Sequence, residues 1–94
     1  MSRPAATSTR LQETDRVIIT EWRFQPGAET GWHRHEYDYV VVCQTAGTLL
    51  AETKTGNVEN VLKAGQAYAR PVGVEHNIVN VNAHEFVFVE IELK

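Results

Sequence analysis

The sequence predicts an all-β fold of the sandwich or barrel type, and two observations support this prediction. Short segments rich in Val, Ile, Thr, Tyr, Phe and Trp recur along the chain, separated by turn-forming Gly, Pro and Asn residues. No stretch has a helical period with a capping residue at each end. The predicted strands are Arg16–Phe24, Gly31–Tyr37, Tyr39–Gln44, Thr48–Thr53, Val58–Leu62, Gln66–Ala69, His76–Val81 and Glu85–Leu93.

The length of the chain predicts one domain, because 94 residues support a single hydrophobic core. Residues 1–12 are small and polar without a sustained period, so we expect a flexible arm, or a segment ordered only by a neighbouring subunit. Residues 13–94 then form the barrel. The last strand carries large apolar side chains on both faces for most of its length, which predicts either a strand packed between sheet and core or, the interpretation we favour, a subunit interface and hence a homodimer.

Charge and hydropathy exclude several classes of partner. A formal net charge of −3 gives no electrostatic reason to expect nucleic acid or an anionic membrane surface. The N-terminal residues lack an apolar stretch of signal-peptide length, and no apolar run is long enough to span a bilayer. We therefore expect a cytoplasmic protein. Cys43 is the only cysteine, which excludes an intrachain disulfide.

Three histidines form the candidate site. His33 and His35 stand two residues apart, a spacing that points both rings to one face of a strand. A third, His76, opens another predicted strand after a turn that contains Pro71 and Gly73. Neutral imidazole is a good ligand for Zn, Fe, Ni, Cu or Mn. The pair alone is also typical of exposed or hydrogen-bonded histidines, so the argument depends on the third ring.

These residues and their spacing resemble the two motifs of the cupin family. The second motif, G-x5-P-x-G-x2-H-x3-N, is matched by Gly65, Pro71, Gly73, His76 and Asn80. The first motif, G-x5-H-x-H-x(3 or 4)-E-x6-G, is matched by Gly27, His33, His35 and Gly47. The resemblance covers residues 16–93. It implies a double-stranded β-helix (jelly-roll) barrel in which the three histidines bind a divalent transition metal: Fe, Mn, Zn or Ni.

The sequence departs from the first motif where the family has its glutamate ligand. The two candidate positions hold Tyr39 and Val40, neither of which is a carboxylate. Alternation places Glu36 and Asp38 on the opposite face from the histidines, although a bulge could turn Asp38 inward. Tyr37 and Tyr39 share the histidine face. Tyr39 is therefore the candidate catalytic residue, as a phenolate ligand or a hydrogen-bond donor, and the alternative is that it fills the barrel wall.

Three neutral imidazoles leave the charge of the ion uncompensated and leave positions open for water or substrate. This arrangement resembles the three-histidine iron sites of cupin dioxygenases, which implies a metal-dependent, dioxygenase-like enzyme acting on a small polar metabolite. The alternative is a non-catalytic module that binds a metabolite or metal. Residues 31–42 are also similar to small cupins assigned to β-alanine degradation. Arg70 is the better of two candidates, with Arg34, for holding a substrate carboxylate, and Cys43 is either packing or a thiol ligand.

Overall fold

The computed structural model describes residues 2–94, and within them nine β-strands form two sheets. The strands are β1 (Thr7–Glu13), β2 (Val17–Phe24), β3 (His33–Arg34), β4 (Asp38–Cys43), β5 (Gly47–Thr53), β6 (Gly56–Leu62), β7 (Ala67–Arg70), β8 (Glu75–Asn80) and β9 (Phe86–Leu93). One sheet has the order β1-β2-β9-β4-β7 and the other β3-β8-β5-β6, with antiparallel pairing throughout. The predicted all-β barrel of one domain is confirmed. Across this described part of the chain, no helix has the length and hydropathy of a membrane crossing.

Most of the predicted strands agree with the observed ones to within two residues, and one is much shorter than predicted. Of the segment Gly31–Tyr37, only His33 and Arg34 form a strand, and the chain bends at Glu36 and Tyr37. The reason is topological. Strand β3 belongs to one sheet and β4 to the other, so the chain must leave the first sheet between them.

The N-terminal segment is more ordered than its composition suggests. Residues 7–13, most of which we assigned to a flexible arm, form β1 and pair with β2 of the same chain, from Thr7 opposite Arg23 to Glu13 opposite Ile18. All seven side chains of β1 are exposed, so the strand has no apolar face that a sequence pattern could reveal. Its contribution is to backbone hydrogen bonding, because it covers what would otherwise be the open edge of β2.

The inner face of the larger sheet changes character along its length. Phe24 lies opposite Phe86, and both are fully buried at one end of the barrel. Cys43 is packed in the same core, where burial raises the pKa of its thiol, and this favours the packing interpretation. Further along β9, the inward side chains become polar. The apolar end is therefore closed by aromatic packing, and the other end contains a cavity.

Asn80, the last residue of the second motif, joins three segments of the barrel. Its side chain is fully buried, and Nδ2 donates to the carbonyl oxygens of Phe24, Gln25 and His84 at 3.1, 3.2 and 2.9 Å. Its Oδ1 accepts a hydrogen bond from the backbone N–H of Asn82 at 2.9 Å. This one carboxamide thus satisfies backbone groups at the end of β2 and in the turn between β8 and β9.

Candidate metal centre

The strand register brings the three histidine rings together. His33 on β3 lies directly opposite His76 on β8, so both side chains project from the same face of the sheet. His35 follows two residues later, and its Nε2 lies 3.1 Å from Nε2 of His33 and 3.1 Å from Nε2 of His76. The three histidines that the resemblance to cupins implied as a group therefore do lie together.

The turn of the second motif fixes the position of His35. The backbone N–H of Gly73 donates to the carbonyl oxygen of His35, and the N–H of His35 donates to the carbonyl oxygen of Val74, both at 2.9 Å. Gly73 has a φ of 95°, a conformation that favours glycine. The proline–glycine turn thus holds the backbone of a histidine that lies far away in the sequence.

The geometry of the rings fits a single metal ion. Two nitrogens that each bind an ion at about 2.1 Å and at right angles would lie about 3.0 Å apart, close to the observed 3.1 Å. Nδ1 of His33 lies 2.8 Å from the carbonyl oxygen of Gly31. Because that oxygen can only accept, Nδ1 carries the proton in the neutral ring, which leaves the lone pair on Nε2. Among residues 2–94, these three side chains form a group with ligand atoms within 4.8 Å of one another.

Burial keeps two of the three imidazoles neutral. Desolvation, with the neighbouring charge of His33, lowers the pKa of His35 to about 3. The same causes lower the pKa of His76 to about 4, and Arg70 adds to the effect. At neutral pH, both rings therefore offer a lone pair without first losing a proton, which favours metal binding.

Asn77, which the sequence analysis missed, supports the loop that precedes His33. Its side chain is buried, and Oδ1 accepts a hydrogen bond from the N–H of Gly31 at 2.9 Å. Its Nδ2 donates to the carboxylates of Glu29 and Glu52 at 2.7 and 2.8 Å. Gly31 in turn accepts the Nδ1–H of His33, so Asn77 orients this ring through one intermediate residue.

Tyr39 lies against the histidines. Its ring is 3% exposed and stacks on the ring of His35, with centroids 3.7 Å apart and planes inclined by 15°. Burial raises the pKa of its phenol well above the ordinary value, and the nearby Tyr68 and Glu90 add to the rise, which disfavours a phenolate. Asp38 is exposed, and its Oδ1 accepts the backbone N–H of Val72 at 2.7 Å, so it points away from the histidines.

Two expectations from strand alternation are wrong near the bend. Glu36 was placed on the face opposite the histidines, but it lies at the mouth of the cavity. Alternation predicts Tyr37 on the histidine face, but the described residues that line the cavity do not include it. Alternation holds only while a strand continues, and residues 35–37 are not in a strand.

The histidines open into a cavity of about 310 Å³ between the two sheets. Its opposite wall belongs to the larger sheet and includes Trp22, Tyr39, Tyr68 and Glu90. Glu90 was not identified from the sequence. The available signal was the alternation within β9, which places Glu90 on the same face as the core residues Phe86 and Phe88.

Glu90 is a buried carboxyl group whose pKa is raised. The side chain is 9% exposed, and burial raises its pKa from 4.5 to about 7. The charge of Glu92 adds to the rise, and the nearby indole of Trp22 opposes it. The folded protein therefore binds a proton at Glu90 between pH 4.5 and about 7, where the unfolded chain has already released it.

Replacing Glu90 with glutamine should stabilise the metal-free protein at high pH. The wild type loses stability as the pH rises from 4.5 to about 7, because the folded state must then ionise a buried group. We expect the gain of Glu90→Gln in the free energy of unfolding to be about 3 kcal/mol larger at pH 8 than at pH 4. Urea denaturation with EDTA at several pH values measures this gain.

The matched control for this experiment is Glu59→Gln, which removes an exposed carboxylate of β6. Its effect on the free energy of unfolding should stay within about 0.5 kcal/mol at both pH values. A difference between wild type and Glu90→Gln that does not change with pH would contradict the assignment of a raised pKa to Glu90.

The chain belongs to the cupin family, since residues 20–92 match the cupin domain. It is 60% identical over 92 residues to the β-alanine degradation protein BauB of Pseudomonas aeruginosa. The alignment covers 98% of this chain and 97% of that protein. Its structure is similar to that of a cupin domain from Bordetella pertussis Tohama I, with a TM-score of 0.98 and 57% identity over 100% of this chain and 98% of that one.

A more distant structural relative is the polyketide cyclase RemF from Streptomyces resistomycificus. The TM-score is 0.73 at 22% identity, covering 99% of this chain and 70% of that one. At this identity the similarity concerns the fold alone. The resemblance to cupins that the two motifs indicated is thus confirmed along nearly the whole chain.

Proposed function

We propose that this protein is a metal-dependent enzyme acting on a small polar metabolite, with His33, His35 and His76 as the ligands of a divalent transition metal ion. The observation that supports this most directly is the convergence of three Nε2 atoms, with two separations of 3.1 Å, on one wall of a cavity. A bound ion would supply a Lewis acid and, if it is iron, the redox chemistry that dioxygen requires.

The side chains around the ligands have separate tasks in this proposal. Tyr39 holds the ring of His35 by stacking, and its protonated phenol is available as a hydrogen-bond donor to substrate. The apolar end of the barrel excludes water on one side. Among residues 2–94, no carboxylate joins the histidine group, so the open positions are left for substrate and solvent.

The relative with 60% identity is named for β-alanine degradation. This supports the proposal that the metabolite is related to β-alanine or its breakdown products. We further expect a homodimer in the cytoplasm. The outward side chains of β9 support the dimer, since Val89 and Ile91 are partly exposed apolar residues on one face of the strand.

A non-catalytic binding module is the second candidate, and the substitution at the glutamate position of the first motif favours it. The two candidate positions hold Tyr39, which is packed against His35, and Val40, so the site lacks the anionic ligand expected from the resemblance. A three-histidine site could hold a metabolite on a metal without turning it over.

Metal reconstitution tests the proposed function. Protein loaded anaerobically with Fe(II), Mn(II), Ni(II) or Zn(II) should retain about one ion per chain after desalting, measured by mass spectrometry of the metal. Oxygen uptake or product formation with a panel of small acids, β-amino acids, thiols and diketones would support an enzyme. Retained metal without turnover would support the binding module, and protein that retains none of the four metals would overturn the site.

A further inference from the structure

The wall that faces the histidines carries acidic side chains. Glu90 and Glu92 lie on the same face of β9 and both line the cavity, whereas the histidines belong to the β3–β8 side of the other sheet. The register places Glu92 opposite Tyr39 on β4, and Arg70 on β7 lies opposite Tyr39 from the other side. Arg70 is exposed and lines a smaller neighbouring pocket, so the cavity has the carboxyl groups of Glu90 and Glu92 on the β9 side and the histidines with Arg34 on the other.

Glu90 is not satisfied by the protein. It is 9% exposed, and no side chain or backbone group of residues 2–94 forms a hydrogen bond of ordinary geometry with its carboxyl group. It also lies outside the group of ligand atoms formed by the three histidines. A largely buried carboxyl group with no partner of ordinary geometry is costly, so this position is explained better by a ligand than by stability.

The indole of Trp22 lies beside this carboxyl group. Its Nε1 is buried and, among the described residues, is the one buried side-chain nitrogen or oxygen without a hydrogen-bond partner. Trp22 lines the same cavity as Glu90, and its N–H approaches the Glu90 carboxyl group closely enough to oppose the rise in its pKa, although the contact lacks ordinary hydrogen-bond geometry. The carboxyl oxygens of Glu90, unlike this enclosed nitrogen, remain open to the cavity, so a bound molecule can reach them.

We propose that Glu90, assisted by Glu92, binds the ammonium group of a small zwitterionic metabolite whose carboxylate points toward the histidine side of the cavity. The placement of the carboxylate rests on the proposed function, whereas the placement of the ammonium group rests on Glu90. The cavity volume of 310 Å³ is at the lower end of the range for ligand pockets, roughly 300–1,000 Å³, so the molecule must be small.

A pair of matched probes separates the two ends. Propanoate carries only the carboxylate, and 3-aminopropanoate carries the same chain with an added ammonium group. With Zn(II)-loaded protein, calorimetry should show 3-aminopropanoate binding roughly ten- to a hundredfold more tightly than propanoate, as expected for a charge-assisted hydrogen bond. Glu90→Gln should abolish this preference without weakening the binding of propanoate.

Two further variants complete the design. Glu92→Gln should reduce the preference by a smaller factor, which keeps the proposal testable if Glu90→Gln folds poorly by circular dichroism. Glu59→Gln, which removes an exposed carboxylate, should preserve the preference in full. Equal binding of both probes by the wild type, a failure of both to bind, or a preference that persists in Glu90→Gln would each overturn the role of Glu90.

The metal-free protein distinguishes this proposal from the proposed function. If the histidines bind an ion that holds the carboxylate, removal of Zn(II) should lower the affinity for propanoate at least tenfold, both in wild type and in Glu90→Gln. A preference for 3-aminopropanoate that depends on Glu90, combined with affinities that do not depend on metal, would support the ammonium subsite and contradict the metal role. Affinities that depend on metal, without a preference for 3-aminopropanoate that depends on Glu90, would contradict the subsite alone.

Discussion

Replacing His76 with alanine should lower the affinity for Zn(II) by roughly a thousandfold. Structural zinc sites in zinc-finger peptides bind the ion with about 10–16 kcal/mol, and on that scale the loss of one of three proposed ligands removes about a third of the binding free energy. His76 is placed to contribute fully, because its Nε2 lies 3.1 Å from that of His35 and burial keeps its ring neutral. Competition with a chromogenic chelator at pH 7.5 measures the affinity.

His84→Ala is the matched control, because it makes the same chemical change at an exposed histidine outside the group of three. Nε2 of His84 contacts the carbonyl oxygen of Ala46 at 3.0 Å, in a turn far from the site. The control should bind Zn(II) as the wild type does. If both variants lost affinity equally, or neither did, the assignment of His76 as a ligand would be refuted.

Replacing Asn80 with alanine should lower the free energy of unfolding by about 3–5 kcal/mol. The change removes the donor to three carbonyl oxygens and leaves buried backbone groups without partners, each at a cost of about 1–3 kcal/mol. It also opens a cavity at a fully buried position. Urea denaturation of the metal-free protein at pH 7 measures the loss.

Asn57→Ala provides the comparison, since Asn57 is exposed on β6. Its effect on the free energy of unfolding should remain within about 0.5 kcal/mol. A similarly small loss for Asn80→Ala would mean that water or a rearranged turn replaces the carboxamide, and the structural role of Asn80 would have to be abandoned.

The sequence allowed the histidine wall to be predicted because local spacing determines it. The glycines and proline before His76 make a turn that residue identity alone reveals, and this turn, rather than strand alternation, holds His35 beside His33. Asn80 was recognised only as a motif position. Its role depends on carbonyl groups at the end of β2, which no local pattern could indicate.

The opposite wall was missed because its residues are defined by pairing between distant strands. The segment from Phe86 to Leu93 is apolar on both faces at its start, which pointed to an interface and drew attention away from Glu90. Strand β1 was missed for a different reason: its exposed side chains produce no alternation, although its backbone pairs regularly. Residues 35–37 deviate because the chain changes sheets there.

The brevity of β3 has a consequence for the order of folding. Its two residues are held by β8, and the backbone of His35 is held by the turn that precedes β8. These contacts close a long loop, so the entropy of closure must be offset by other strands before the three rings meet. We therefore expect the ion to bind only after the chain has folded and to slow unfolding rather than to nucleate folding.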